Sequence, residues 1–319
     1  MTDRPPRQVS INKLLKTTYG TTFTINNIYR TIKPEEFMSR KYYFGVAAVF
    51  KNENHILKEW IDHYLAHGAE HIYLINHNSK DNYQKTLDPY LNPYVNSDKK
   101  SKNTPNPKPK VTLYHFSPQK NFKSQKDAYR LYLQQAKHEC RWLAIVDMDE
   151  FIYSPTTISI PNVLKKYEEY PAIGVNWLCF GSNDRIKQPK SVISGFTKRA
   201  PAQLMEDNAH IKSIIQTPYL RDFGIHEHKL YNNVKAVNTN GQKIEKCFNT
   251  PVLDDVLVCN HYIIQSWEWY QKKKMSQKHS FHFKNKYTTE YFKNHDVNEI
   301  EDKRLLEQYK KHYRNEKLN

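Results

Sequence analysis

A short apolar run that ends in clustered acids is the feature that most constrains this chain. Residues 142–153 read WLAIVDMDEFIY, with Asp147, Asp149 and Glu150 between two apolar groups. The first group predicts a buried strand, and continued strand geometry would turn Asp147 and Asp149 to one side and Glu150 to the other. Like charges this close repel, and burial adds a desolvation cost. A divalent cation relieves both costs, so the segment predicts a Mg²⁺ or Mn²⁺ site rather than a solvated acidic turn.

Strands and helices alternate along residues 42–152. Residues 42–50 (YYFGVAAVF) are continuously apolar, which predicts a strand buried on both faces. The apolar positions from Ile56 to Leu65 follow a helical spacing, and residues 71–75 predict a second strand, so the unit implies a parallel pair. Further along, the pattern predicts strands at 111–116, 142–146, 172–180, 213–219, 228–237 and 253–258, helices near 124–138 and 162–170, and a charged helical tail from 266 to 319. We therefore expect an α/β fold with a mostly parallel sheet flanked by helices.

The charge balance favours anionic partners. Lys and Arg number 49 against 33 Asp and Glu, which gives +16. Nucleic acid, an acidic membrane surface, acidic glycans and a nucleotide diphosphate all fit this charge, as does an ordinary solvated surface. Residues 99–126 hold eight lysines and no acid, and 96–110 predict a flexible basic loop.

Several classes of site and segment are disfavoured. There is no glycine-rich phosphate loop, so a nucleotide must be held in another way. The four cysteines form no C-x-x-C, which argues against a zinc site or a redox pair. No apolar leader and no apolar run near about 18 residues appear, so we expect no membrane span, although peripheral contact stays open. We expect a cytoplasmic protein of a microbe or of a virus-infected cell, or one attached to a membrane surface.

An ordered set of short motifs then stands out. KNE (51–53), EWIDHYLAHG (59–68), INHNSKD (75–81), DMDEF (147–151), NWLCFGS (176–182) and NHYIIQS (260–266) follow one another along the chain. This set resembles glycosyltransferase family 92 and related family-2-like enzymes. The resemblance implies a GT-A fold, which is Rossmann-like. It also implies a nucleotide-sugar donor, commonly a UDP-sugar, with Mn²⁺ or Mg²⁺, and transfer with inversion to a hydroxyl of a glycan or glycoprotein.

The resemblance also assigns site residues. Asp149 would be the first metal ligand, Asp147 the second ligand or a ribose contact, and His261, expected just after a late strand, the third. The base, ribose and phosphate contacts would come from two polar loops and one lysine: Lys51, Asn52, Glu53, Asn76, Asn78, Asp81 and Lys126.

An inverting transfer needs a carboxylate to accept the proton of the acceptor hydroxyl. The candidates are Asp184, Glu206, Asp207 and Glu227. Asp184 is preferred because it follows the FGS motif, and Asp207 is next because its loop is placed to cover the donor.

The predicted organisation is an N-terminal extension (1–40), a GT-A domain (41–265) and a C-terminal helical segment (266–319). The domain divides into a nucleotide-binding half (41–155) and an acceptor half (156–265). The competing hypotheses are a basic nucleic-acid-binding protein, a metal-dependent phosphoryl-transfer enzyme, and a degenerate glycosyltransferase that only binds glycan. No nucleic-acid-binding signature accompanies the charge, so we expect no specific nucleic acid.

Overall fold

The apolar run at residues 42–50 forms an interior strand of a large sheet in the computed structural model, which describes residues 30–91, 109–118, 124–276 and 286–316. Phe44, Val46 and Ala48 pack into the core on one face of the sheet. Ala47 and Val49 pack into the core on the other face. Burial on both faces explains why the run is continuously apolar rather than alternating.

The strands are β1 Tyr42–Phe50, β2 His71–Asn76, β3 Val111–His115, β4 Cys140–Ile145, β5 Glu150–Tyr153, β6 Ala172–Cys179, β7 Lys198–Arg199, β8 Ile211–Gln216, β9 Leu220–Asp222, β10 Lys229–Leu230, β11 Val258–His261 and β12 Ile300–Glu301. Eight of them form the main sheet, in the order β3-β2-β1-β4-β8-β6-β11-β5. Six of the eight run parallel, and β8 and β5 run in the opposite direction.

Helices flank this sheet and form the C-terminal part of the chain. They are α1 Glu35–Met38, α2 Asn54–Ala66, α3 Tyr83–Leu91, α4 Gln125–Tyr132, α5 Gln134–Glu139, α6 Ile160–Leu164, α7 Val192–Gly195, α8 Trp267–Tyr270, α9 Thr289–His295 and α10 Arg304–Glu316, with a π-helical turn Gln271–Met275 after α8. The α/β fold, the mostly parallel sheet and the helical tail are confirmed. No helix within the described ranges is long and apolar enough to cross a membrane.

Two predicted strands were placed wrongly. The strand predicted at 253–258 corresponds to β11, which starts at Val258 and includes His261. The acidic residues before Val258 do not join the strand, because Asp254 forms an ion pair with Arg304. The strand predicted at 228–237 is only the two-residue β10. Asn232 and Asn233 then take positive φ angles of 61° and 50°, which ends the extended backbone.

The acidic segment also departs from its predicted geometry. Strand β4 ends at Ile145, and residues 147–149 form a turn that leads into β5. Strand alternation therefore does not set the direction of Asp147 and Asp149. Residues 96–108, most of the predicted basic loop, lie outside the described residues, as do residues 1–29 of the predicted N-terminal extension.

The C-terminal segment contacts the sheet domain directly. Strand β12 pairs with β7, and the amide of Asp302 donates to the carbonyl of Thr197 at 2.7 Å. The predicted domain boundaries at residues 40 and 265 stay predictions.

Candidate active site

A cavity of about 370 Å³ lies where β1 and β4 reach their carboxyl ends. Such ends are where open α/β sheets bind ligands. Five of the predicted site residues line this cavity: Glu53, Asp147, Asp149, Asp207 and His261.

Helix α2 packs against the acidic turn, residues 147–149, and holds it in place. The indole nitrogen of Trp60 donates to the carbonyls of Asp147 and Glu150, both at 3.1 Å. The hydroxyl of Tyr64 also donates to the Glu150 carbonyl, and it accepts from the amide of Ile152 at 3.0 Å. Both aromatic side chains are fully buried, so the EWIDHY helix fixes the position of the turn.

A buried lysine binds two of the three clustered acids. The ammonium of Lys212, on β8, lies 2.7 Å from Asp147 Oδ2 and 3.2 Å from Glu150 Oε2, and its side chain is 0% exposed. Glu150 Oε2 also accepts the Asp147 amide at 2.9 Å. The side-chain amide of Gln125 donates to the second carboxylate oxygen of Asp147 at 2.8 Å. Both oxygens of Asp147 are therefore bonded within the protein.

Lys212 is shared by the fully buried Glu150 and the partly exposed Asp147, and the pKa values of the two carboxyl groups move apart. Burial raises the pKa of Glu150 to about 8, and the neighbouring acids add to the shift although Lys212 opposes it. Burial also acts to raise the pKa of Asp147, but the charge and hydrogen bond of Lys212 outweigh it and hold that pKa well below its usual range. At neutral pH the cluster is then neutral, with Lys212 and Asp147 charged and Glu150 protonated.

Asp149 has a different set of neighbours. Its Oδ2 lies 3.1 Å from the ammonium of Lys274, and its Oδ1 lies 3.7 Å from Nε2 of His261. Burial lowers the pKa of His261 to about 4 even though Asp149 opposes the shift, so the imidazole is neutral. Its ring centroid lies 4.2 Å from that of Trp177, which packs it in place.

The three predicted ligands of a divalent cation have different partners. No group of three His, Cys, Asp or Glu side chains in the described ranges is arranged to hold a metal ion. Lys212 and Gln125 bond to the two oxygens of Asp147, and its place among the metal ligands stays a prediction. Asp149 and His261 supply a carboxylate and a neutral imidazole to the same cavity. Both are ligands that Mn²⁺ accepts, and such ions often take only one or two carboxylates beside substrate phosphates.

The two predicted nucleotide loops bond to each other rather than lining the cavity. The amide of Asn52 donates to Ser79 Oγ at 2.9 Å, and the amide of Lys80 donates to Asn52 Oδ1 at 2.6 Å. From this loop pair only Glu53 reaches the cavity, where Lys273 binds it at 2.7 Å. The same ammonium also donates to the carbonyl of Lys51.

Three further predicted contacts have structural partners. Asn76 donates to the hydroxyl of Tyr83 at 2.9 Å, and Asn78 accepts from Ser117 at 3.1 Å. Asp81 Oδ2 accepts the amide of Asn54 at 2.8 Å, at the start of α2. That contact satisfies one of the backbone amides at the start of the helix.

Asp207 and Asp184, the two preferred base candidates, lie in different places. Asp207 lines the cavity, and its Oδ2 lies 2.6 Å from Nε2 of His295 on α9. That hydrogen bond lowers the pKa of Asp207. Asp184 is exposed on the loop after β6 and does not line the cavity. Glu206 and Glu227 are also exposed and lie outside it, so geometry favours Asp207.

Comparison with known proteins decides the family. The model of glycosyltransferase family 92 matches residues 40–317. The chain belongs to glycosyltransferase family 92. The match also covers most of the C-terminal segment, whose lysines reach the cavity.

Similar family 92 proteins occur in plants. One of Oryza sativa subsp. japonica is 28% identical over 235 residues, which is 72% of this chain and 34% of that protein. One of Ricinus communis is 22% identical over 236 residues, 72% of this chain and 36% of that protein. One of Arabidopsis thaliana is 24% identical over 253 residues, 76% of this chain and 38% of that protein. The matched region of this family 92 chain thus corresponds to little more than a third of each relative.

Three lysines of this family 92 chain were missed by the sequence analysis. Lys273 and Lys274 lie in the charged C-terminal segment, where lysines are ordinarily interpreted as part of a solvated helix face. Lys212 could have been recognised from the sequence. It lies between Ile211 and Ile214 in a segment predicted to be a buried strand, and a buried lysine must have a partner.

Proposed function

We propose that this chain transfers a sugar from a nucleotide-sugar, foremost a UDP-sugar, to a hydroxyl of a glycan or glycoprotein, with inversion at the anomeric carbon. The observation that carries the proposal is that four side chains line one and the same cavity: Asp149, His261, Lys274 and Asp207. This cavity lies at the carboxyl ends of parallel strands. Family membership supports glycosyl transfer over the nucleic-acid-binding and phosphoryl-transfer alternatives.

The donor diphosphate fits the cationic wall of the cavity. Lys273, Lys274 and Lys286 all come from the C-terminal segment and line it. Lys274 is only 12% exposed, so its charge is weakly screened by water. An ammonium in such a place binds phosphate oxygens as a point charge. These lysines support an anionic donor.

Asp149 and His261 would hold Mn²⁺ or Mg²⁺ beside the diphosphate. The cation, when bound, supplies positive charge that offsets the negative charge developing on the departing nucleotide. Asp147 is held by Lys212 and Gln125. It thereby keeps the acidic turn in place, with the edge of the turn facing the donor.

Asp207 is the proposed base. Its lowered pKa keeps the carboxylate ionised at neutral pH. The carboxylate accepts the proton of the acceptor hydroxyl while that oxygen bonds to the anomeric carbon and the nucleotide diphosphate leaves from the opposite side. His295 orients the carboxylate through Oδ2.

Thermal shift with nucleotide-sugars tests the proposal. We expect UDP-sugars with Mn²⁺ to raise the melting temperature more than GDP- or CMP-sugars, because a ligand that binds only the folded state stabilises it. The gain is about 2.7 kcal/mol at a ligand concentration 100 times the Kd. The same panel without cation is the control. No stabilisation by any nucleotide-sugar, with Mn²⁺, Mg²⁺ or neither, would contradict the proposal.

Asparagine substitutions separate the two base candidates. Asp207→Asn should lower the transfer rate by about 10²–10⁴-fold while nucleotide binding is retained, since the amide cannot accept the proton. Asp184→Asn, the matched control, should stay within about twofold of the wild-type rate, in the usual range for an exposed change. Initial rates with saturating donor measure both. The reverse pattern would reassign the base to Asp184.

A further inference from the structure

A second cavity, of about 430 Å³, borders the candidate active site. Ser213 and Ile215 of β8 line it, together with residues around the β9–β10 hairpin. Neighbours in sequence line the two cavities: His226 lines the active site, and Glu227 lines the second cavity. The two cavities therefore share a wall.

Positive charge dominates this second cavity. Its lining has five cationic side chains and one carboxylate, Glu227, which gives 5 − 1 = +4 from Lys126, Arg221, Lys229, Lys235 and Lys246. Two of the five have acidic neighbours, since Lys126 lies 3.4 Å from Asp222 and Lys235 lies 3.4 Å from Glu245. The other three form no ion pair with any residue that the structure describes. Cations gathered around a concave surface add their potentials and concentrate anions there.

A buried hydrogen-bond donor without a partner in the described part of the chain also lines this cavity. Nδ1 of His228 accepts the amide of Gly224 at 3.0 Å, so a neutral ring carries its proton on Nε2. Burial keeps the ring neutral by lowering the pKa of His228 to about 3. Nε2 is buried and has no hydrogen-bond partner in the described part of the chain, and His228 lines the cavity. A buried N–H of this kind is costly unless an acceptor meets it.

The shared wall leads to the proposed base. His210 Nδ1 lies 3.2 Å from the carbonyl of Asp207, and the ring centroids of His210 and His226 are 5.5 Å apart. His226 precedes Glu227 and His228, which line the second cavity. Residues 226–228 therefore link the rings beside the proposed base to the lining of the second cavity.

We infer that the second cavity binds an oxyanion, a phosphate, sulfate or carboxylate group, carried by the acceptor saccharide. The inference rests on the proposed function. The cavity then selects acidic acceptors over neutral ones, while the donor is held by the separate cationic wall of the active site.

Binding of glucose 6-phosphate, with saturating UDP to fill the active site, tests this inference. We expect calorimetry to detect binding to the wild type and a loss of at least about tenfold in Arg221→Gln/Lys246→Gln, which removes two unpaired cations. The matched control Lys165→Gln/Lys166→Gln loses the same charge from an exposed turn outside the cavity and should bind as the wild type does. Glucose should not bind.

The other arms of the experiment identify the source of the anion. Inorganic phosphate that binds as tightly as glucose 6-phosphate would overturn the assignment to an acceptor. Equal losses in the two double variants, or no binding of glucose 6-phosphate, would overturn the site itself. UDP stabilisation is measured on the same samples, so failure of UDP binding would count against the proposed function, whereas UDP binding without glucose 6-phosphate binding counts only against this inference.

Discussion

Replacing Asp149 with asparagine is expected to lower the rate of sugar transfer by about 10³-fold. Asp149 lines the active-site cavity between His261 and Lys274, and its side chain is only 13% exposed. Asparagine has the same shape but removes the charge that a cation and the diphosphate site depend on. Release of UDP and transferred sugar, measured across a Mn²⁺ titration, reads out the effect.

Asp255→Asn is the matched control for this substitution. Asp255 is exposed and does not line the cavity, so its loss should change the rate by less than about twofold. Chelator should reduce the wild-type rate to the level of Asp149→Asn. Wild-type protein that kept most of its activity in the presence of chelator would show that no cation acts at Asp149.

Replacing Lys212 with methionine is expected to destabilise the protein by about 3–5 kcal/mol and to abolish transfer, because it leaves the partly buried charge of Asp147 without its cation and the buried carboxyl of Glu150 without a partner. The charge of Asp147, whose side chain is 31% exposed, would then lie beside the fully buried Glu150 with no cation between them. Urea unfolding measures the stability change. Lys166→Met, at an exposed lysine, should cost less than about 0.5 kcal/mol.

Glu150→Gln tests the same cluster through pH. The folded-state pKa of Glu150, about 8, lies above its ordinary value of 4.5. Its contribution to stability is therefore fully present below the ordinary value and is lost as the pH rises through about 8. Glu150→Gln should flatten the fall in stability over that interval, because the amide does not titrate. An unchanged pH profile in Glu150→Gln would mean that Glu150 does not titrate there.

The local sequence pattern predicted the sheet well, because a strand that is buried on both faces is apolar at nearly every position. Residues 42–50 are apolar throughout, and the strand occupies all of them. The site was harder, because its contacts join distant parts of the chain. Lys274 meets Asp149 across 125 positions, and Lys212 meets Asp147 across 65. No local pattern reports such a pairing.

The base candidates show the same limit. Asp184 was preferred because it follows a recognisable motif, yet proximity in sequence to FGS places it on an exposed loop. Asp207 reaches the cavity because α9, almost ninety residues later, brings His295 to its carboxylate. The polar loops at 51–53 and 76–81 were expected to hold the nucleotide. Side chains of Asn52, Ser79 and Asp81 instead accept backbone amides across the two adjacent strand ends, because those amides need acceptors.

The contact between Lys274 and Asp149 has a consequence for how ligands assemble. One ammonium cannot remain against Asp149 Oδ2 and also move fully onto a phosphate. A diphosphate that attracts Lys274 frees the carboxylate, and a cation that binds the carboxylate frees Lys274. Each ligand should therefore raise the affinity for the other by the same factor, so that cation and donor bind cooperatively. When both are absent, Lys274 acts as an exchangeable counterion of Asp149.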